Sequence, residues 1–286
     1  MGCSSDRTLY DGHVSLSPVV ADGYVYFGTL DGGESAIRRV RDDGDRIETR
    51  WHQRSGAAYG AGLASDGDTL LWSTPEDDGL GTGIYRLVGH DRDELGTLEG
   101  RDQVVGLAVD AQLVYVATRD AIHWMPIGGG VLGTLCSPPA GMWFTAMRVR
   151  DGKVLALATI VGAGDPVTLV EATAGYDVIA TVPGVSPETF AAHGWYAWLA
   201  GGDALVRVNL AYGTAERVAE GTRVHAVVGD GEHVYATIGE PDNAALVDVD
   251  DPYVPLVAGL RGSGPIAFGD SRIYYVDADG LRFVER

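Results

Sequence analysis

Leu107-Ala-Val-Asp-Ala-Gln-Leu-Val-Tyr-Val-Ala-Thr118 is an apolar run, a turn at Asp110-Ala111, and a second run rich in Val and Tyr. Short β-branched and aromatic segments divided by turn residues read as two antiparallel strands joined by a hairpin. The unit recurs along the chain at Val19–Thr29, Leu63–Thr74, Val149–Thr159, Ala191–Ala200, Val227–Thr237 and Ile266–Val276. Aligned at the turn, the markers are Asp22, Asp66, Asp110, Asp151, His193, Asp230 and Asp270, spaced 44, 44, 41, 42, 37 and 40 residues. A period of about forty residues with strand character is the signature of β-propeller blades. Helical repeats of that length would need apolar residues at i, i+3 and i+4, and this pattern lacks them.

Two further strand candidates follow each of the first six hairpins, such as Ala36–Val40 with Ile47–Trp51, and Val167–Val170 with Val178–Val182. Four strands make one blade. The seventh unit is a strand short, because only Leu281–Glu285 follows its hairpin, while Asp6–Tyr10 precedes the first hairpin without a partner. Pairing this leading strand into the last blade removes an exposed edge. The expected fold is all-β, a seven-bladed β-propeller of four-stranded antiparallel blades. The N-terminal strand completes the last blade, in one domain over residues 5–286 behind a tail at 1–4.

Val114-Tyr-Val-Ala-Thr118 and Val234-Tyr-Ala-Thr237 resemble the repeats of the bacterial extracytoplasmic β-propeller superfamily of YVTN-like or NHL-like type. The resemblance spans nearly the whole chain, rests on short motifs, and implies architecture rather than activity. No Trp-Asp dipeptide occurs, so the WD40 signature is not met.

The chain carries 21 Lys and Arg against 40 Asp and Glu, a net charge of −19. That balance argues against nucleic acid as a partner, since phosphate binding needs a basic footprint. It suits a cationic partner. No apolar run approaches the ~20 residues of a membrane-spanning helix. Met1-Gly-Cys-Ser-Ser5 resembles the end of a bacterial lipobox, which makes Cys3 a candidate lipidation site and the only expected link to a membrane. An incidental Cys near a terminus is the other reading. The blade register keeps Cys3 and Cys136 far apart, so no disulfide is expected and Cys136 reads as a buried or half-buried thiol.

In a propeller the first strand of each blade lines the central channel. Here those strands are Val14–Ala21, Tyr59–Ser65, Val104–Val109, Phe144–Val149, Pro187–Ala192, Val224–Gly229 and Gly264–Gly269. Their ionisable side chains are Arg148, Glu188 and His225. A Ca²⁺ ion takes about six to eight oxygens, more than these strands supply, so neither a metal nor another cofactor is expected. Glu188 and His225 are the one candidate acid–base pair. A solvated carboxylate and a histidine at a strand start explain them more simply.

The connections between second and third strands should share a face with the links between blades. Three read as long, 74–83, 160–166 and 239–244, and two of them carry the acidic clusters Glu76, Asp77, Asp78 and Glu240, Asp242. The links bring His13, Tyr59, Trp143 and Arg223 towards the same face. Aromatics beside an Arg suit a ligand-binding surface. The leading expectation is a non-enzymatic, monomeric binding or scaffold module at the bacterial cell envelope, periplasmic or extracellular, lipid-anchored to the outer membrane through Cys3. Its partner would be a protein or a small ligand. A propeller hydrolase or lyase with a site at the channel mouth is the alternative, and a purely structural propeller the third.

Overall fold

A computed structural model describes residues 7–41, 46–53, 62–75, 81–89, 91–100, 103–162, 166–185, 189–229, 233–262, 264–269 and 271–286. After β1 (Arg7–Asp11), the first blade is β2 (Val14–Ala21), β3 (Tyr24–Asp31), β4 (Glu34–Arg41) and β5 (Ile47–Gln53). The second is β6 (Leu63–Ser65), β7 (Leu70–Pro75), β8 (Gly81–Val88) and β9 (Asp91–Glu99). The third is β10 (Val104–Val109), β11 (Leu113–Thr118), β12 (Ile122–Pro126) and β13 (Gly133–Cys136). The fourth is β14 (Met142–Arg150), β15 (Lys153–Ile160), β16 (Val167–Ala172) and β17 (Tyr176–Val182). The fifth is β18 (Thr189–His193), β19 (Tyr196–Gly201), β20 (Ala204–Asn209) and β21 (Ala215–Glu220). The sixth is β22 (Val224–Gly229), β23 (Val234–Glu240), β24 (Asn243–Asp248) and β25 (Val257–Leu260). The seventh is β26 (Ile266–Phe268), β27 (Arg272–Asp277) and β28 (Gly280–Glu285), and β1 completes it beside β28. Each blade is a four-stranded antiparallel sheet with its strands in chain order, apart from that closing strand. The fold is a seven-bladed β-propeller.

Residues 1–29, 38–48 and 184–286 form one compact unit, and residues 30–37 and 49–183 a second. In the second, β11 shows why its sequence is apolar at every position rather than alternating. Val114 and Val116 pack with Leu71, Ile84 and Leu95 of the second blade, whereas Tyr115 and Ala117 pack with Phe144, Met147 and Ala156 of the fourth. Successive side chains of a strand point to opposite faces, and here both faces are buried. The first unit repeats the scheme in β27, where Ile273 and Tyr275 face the sixth blade and Tyr274 and Val276 face Val25 and Phe27 of the first.

The Asp-Gly hairpins do what their chemistry allows. Asp22 and Gly23 both take positive φ, 48° and 70°, as do Asp151 and Gly152, at 50° and 72°. This is the two-residue turn whose twist matches the flanking strands. The fifth blade corrects the alignment. His193 is the last residue of β18, paired with Tyr196, so the turn is Gly194-Trp195 and His193 does not stand in for the turn Asp. Gly194, at φ +54°, takes the first turn position that Asp22 and Asp151 fill in the first and fourth blades, at φ 48° and 50°.

The N-terminal strand pairs as expected, with Arg7 opposite Phe283, Thr8 opposite Arg282, Tyr10 opposite Leu281 and Asp11 opposite Gly280. Leu9 and Tyr10 pack on the core shared by the seventh and first blades. Gly280 sits at φ +143°, and a Cβ there would run into the Tyr10 carbonyl. The close approach of β1 therefore requires glycine at this position. Two outer strands are short, at four residues each. Val131 lies almost wholly exposed ahead of β13, and β25 begins at Val257.

Candidate functional site

The turns between second and third strands and the links between blades do share one end of the sheets, where backbone hydrogen bonds stitch them together. In the first unit, Val224 N donates to Gly202 O at 3.0 Å, Gly262 N to Pro241 O, Ala278 N to Arg261 O, and Gly12 N to Asp279 O at 3.2 Å. In the second, Phe144 N donates to Arg119 O at 2.9 Å and Val161 N to Gly141 O at 3.1 Å. These contacts fix the local backbone from which side chains project.

Trp143 stands on this end of the fourth blade. Pairing of β14 with β15 sets Met142 opposite Ile160 and Trp143 opposite Thr159. Trp143, Ile160 and Val161 are all exposed, and the guanidinium of Arg119 lies 5.1 Å from the Trp143 ring centroid. An exposed indole capped by a cation sets an aromatic ring and a positive charge together at this end of the blade. The sequence names Trp143 but not Arg119, whose position in a second-to-third-strand turn is the signal that would have found it.

His225 lies on β22 where the pairing with β23 shifts register, and its Nε2 meets the Gly239 carbonyl at 2.9 Å. A carbonyl only accepts, so Nε2 carries the proton. The imidazole thus bridges two strands of its own blade. Its proposed partner Glu188 lies outside the described residues, as do Tyr59, the Glu76, Asp77 and Asp78 cluster, and Cys3. Arg223 and His13 are exposed in their links, and the Arg223 carbonyl accepts from Gly239 N at 2.8 Å.

Glu240 and Asp242 are exposed, but not on a long loop. Strand β23 runs to Glu240, which pairs with Asn243, so Pro241-Asp242 is a tight turn. Gly239 at φ +115° admits it, since a Cβ would meet Asn243 O at 2.9 Å. Between 74 and 83, likewise, strand structure extends to Pro75 and resumes at Gly81.

A charged network that the sequence reading passes over lies on the same end of the seventh blade. Arg261 Nη2 donates to both oxygens of Asp279 at 2.6 Å, and Arg282 Nη2 reaches Asp279 at 3.1 Å. Arg282 Nε also pairs with Asp277 at 3.0 Å, while Asp277 Oδ1 accepts from the backbone of Asp279 and Gly280. The hydrogen bond from Arg261 holds the Asp279 carboxyl below its ordinary range and raises Arg261 in turn. The signal for it is spacing, since Asp277 precedes and Asp279 lies within one two-residue turn while Arg261 comes from the preceding link. Arg148 on β14 is accessible to solvent, yet enough protein crowds it that desolvation lowers its pKa. Its Nη1 donates to Met147 O at 3.0 Å. Among the described residues no three His, Cys, Asp or Glu side chains gather in a metal-binding group.

The architecture defines the chain as a propeller whose blade ends present side chains on short, hydrogen-bonded turns. No family model and no curated protein matches the sequence. Solved structures do match in fold. A chain in the crystal structure of the mitotic checkpoint complex superposes with a TM-score of 0.73 at 15% identity, covering 100% of this chain and 96% of that one. A chain of the Kuenenia stuttgartiensis hydrazine synthase gives 0.70 at 9% identity, with 98% of each chain covered. BamB from Moraxella catarrhalis gives 0.60 at 13% identity, over 96% of this chain and 85% of that one. At such identities the likeness establishes the propeller fold alone.

Proposed function

We propose that this propeller is a non-enzymatic binding or scaffold module that holds a protein partner at the end of its blades carrying the inter-blade links. The observation that carries the reading is the exposed Arg119–Trp143 stack. Interfaces draw most of their energy from a few aromatic and arginine anchors, and this patch offers both on a backbone fixed by hydrogen bonds. Chains of similar fold occur in a mitotic checkpoint complex, which supports a protein as the class of partner.

A bacterial envelope setting, with lipid on Cys3, belongs to the same proposal. It rests on Gly2-Cys3-Ser4-Ser5 and the repeat resemblance. The test is affinity capture from envelope extracts with the wild-type chain and with an Arg119→Ala/Trp143→Ala variant. Loss of the same captured protein from a variant that melts normally supports the reading. Equal capture by both proteins sinks it.

A further inference from the structure

The opposite end of the blades carries the three most exposed aromatic side chains among the described residues. They are Trp195 at 73%, Tyr212 at 82% and Tyr253 at 93% exposure, with exposed Val254 next to the last. Trp195 sits in the first hairpin of the fifth blade, Tyr212 in that blade's last turn, and Tyr253 in the last turn of the sixth. These two blades pack together within one unit, with Trp198, Leu205 and Ala191 against Val227, Val234 and Val247. In antiparallel blades the first and last turns fall at the same end, so the three rings share one surface.

The rings are displayed on ordered backbone. Leu210 N donates to Trp195 O at 2.9 Å, which ties the two turns of the fifth blade to each other. The Asn209 side chain accepts from Ala211 N and Tyr212 N, and Gly213 N closes onto Asn209 O at 2.8 Å. Asp248 does the same for the sixth blade, accepting from Asp250 N at 3.0 Å while Asp251 N reaches its carbonyl at 3.1 Å. Large apolar rings held in water on fixed turns mark an interaction surface.

The charges around the rings select the occupant. Asp250 and Asp251 are exposed on the Tyr253 turn. Arg207 of the fifth blade is already matched, paired with Glu216 at 2.6 Å and lying 4.9 Å from the Tyr196 ring and 5.5 Å from that of Trp198. The fifth blade thus already shows an arginine on paired aromatic rings closed by a carboxylate, and the exposed turns carry rings and carboxylates of the same kind. Two strand spacings across a blade and one blade-to-blade step are each roughly 10 Å. An extended segment of about six residues, at ~3.3 Å per residue, bridges that span.

We infer that the Trp195–Tyr212–Tyr253 surface, with Asp250 and Asp251, binds an extended Arg- or Lys-bearing peptide segment of a partner protein. Guanidinium groups stack on the rings and pair with the carboxylates. The surface is separate from the Trp143 patch, so the two readings stand or fall independently.

The test uses fluorescence anisotropy with a labelled (Arg-Gly)5 peptide, a (Glu-Gly)5 control and a soluble cellohexaose competitor. The expected result is binding of the arginine peptide that falls at least tenfold in Trp195→Ala/Tyr212→Ala/Tyr253→Ala. Asp250→Asn/Asp251→Asn should weaken it several-fold, and the ring-retaining Trp195→Phe/Tyr212→Phe/Tyr253→Phe should bind within about twofold of wild type. Equal binding by wild type and the alanine variant would reduce the effect to net charge and overturn the inference. Ring-dependent binding of cellohexaose without ring-dependent binding of the arginine peptide would overturn it too, in favour of a carbohydrate platform.

Discussion

Arg261 meets Asp279 through a single nitrogen, Nη2, which lies 2.6 Å from each carboxylate oxygen. The pair joins the link entering the seventh blade to the turn between that blade's second and third strands, and the Asp279 carbonyl accepts from Gly12 N in the link that leaves it. Asp279 is held below its ordinary value of 3.8 chiefly by this hydrogen bond. A carboxyl with a depressed folded pKa adds stability that is fully present above the unfolded value and is lost as pH falls through the folded one. Asp279→Asn should therefore melt below wild type at pH 6, and the gap should narrow towards pH 3. Thermal melts across that range, at low salt, would show a constant gap if the pair contributed nothing.

The closing strand gives a second expectation. Gly280→Ala places a methyl against the Tyr10 carbonyl at a φ that favours glycine. Backbone strain of this kind costs roughly 1–3 kcal/mol. Removing residues 1–11 should cost more, on the order of several kcal/mol, because it bares the edge of β28 and the core covered by Leu9 and Tyr10. Urea unfolding of both variants provides the measurement. A deletion as stable as the full chain would show that the seventh blade does not depend on β1.

Cys136 is buried as a free thiol between the third and fourth blades. Burial pushes its pKa from 9.0 up to about 11. The folded protein should leave Cys136 unreactive towards a thiol reagent at pH 8 and release it only on unfolding. Because the folded pKa is raised, the favourable burial of the neutral thiol is complete below about pH 9 and is lost as pH rises through about 11. Cys136→Ala should flatten that alkaline loss, read as melting temperature against pH.

His225 provides a fourth. Its Nε2–H to the Gly239 carbonyl bridges β22 and β23 within one sheet. His225→Ala should cost about 0.5–1.5 kcal/mol in urea unfolding, with partner capture unchanged. Loss of capture at full stability would instead make the imidazole part of a binding surface.

Most of the fold is legible in the sequence because the blades repeat and each second strand is buried on both faces. Val104–Val109, Leu113–Thr118 and Val224–Gly229 can be read nearly residue for residue from their apolar runs. The turn of the fifth blade is not, since aligning every repeat on Asp-Gly assigns to His193 a position that Gly194 occupies by virtue of its positive φ. The Glu240–Asn243 hairpin is hidden for a related reason, because Pro241 and Asp242 resemble loop residues whether the turn is tight or long. The exposed rings are harder still. In blades with two buried faces, Tyr212 and Tyr253 look in sequence like Tyr235 or Tyr275, and only the turn geometry separates a tip from a core. The position of Arg119 in a second-to-third-strand turn marks it as a candidate, but its contact with Trp143 joins two neighbouring blades and is not set by any local spacing.

The pairing of Arg7 with Phe283 carries a consequence for synthesis. Strand β1 is made before all the other blades and its partner β28 after them, so that partner does not exist while the intervening blades are being made. During that interval Leu9 and Tyr10 have no finished sheet to join, and the nascent chain carries an apolar strand open to off-pathway pairing. Non-local contacts of this span form slowly and expose intermediates to aggregation. A chaperone that holds β1 until β28 has emerged should raise the yield of native protein far more than one that acts after β28 is made.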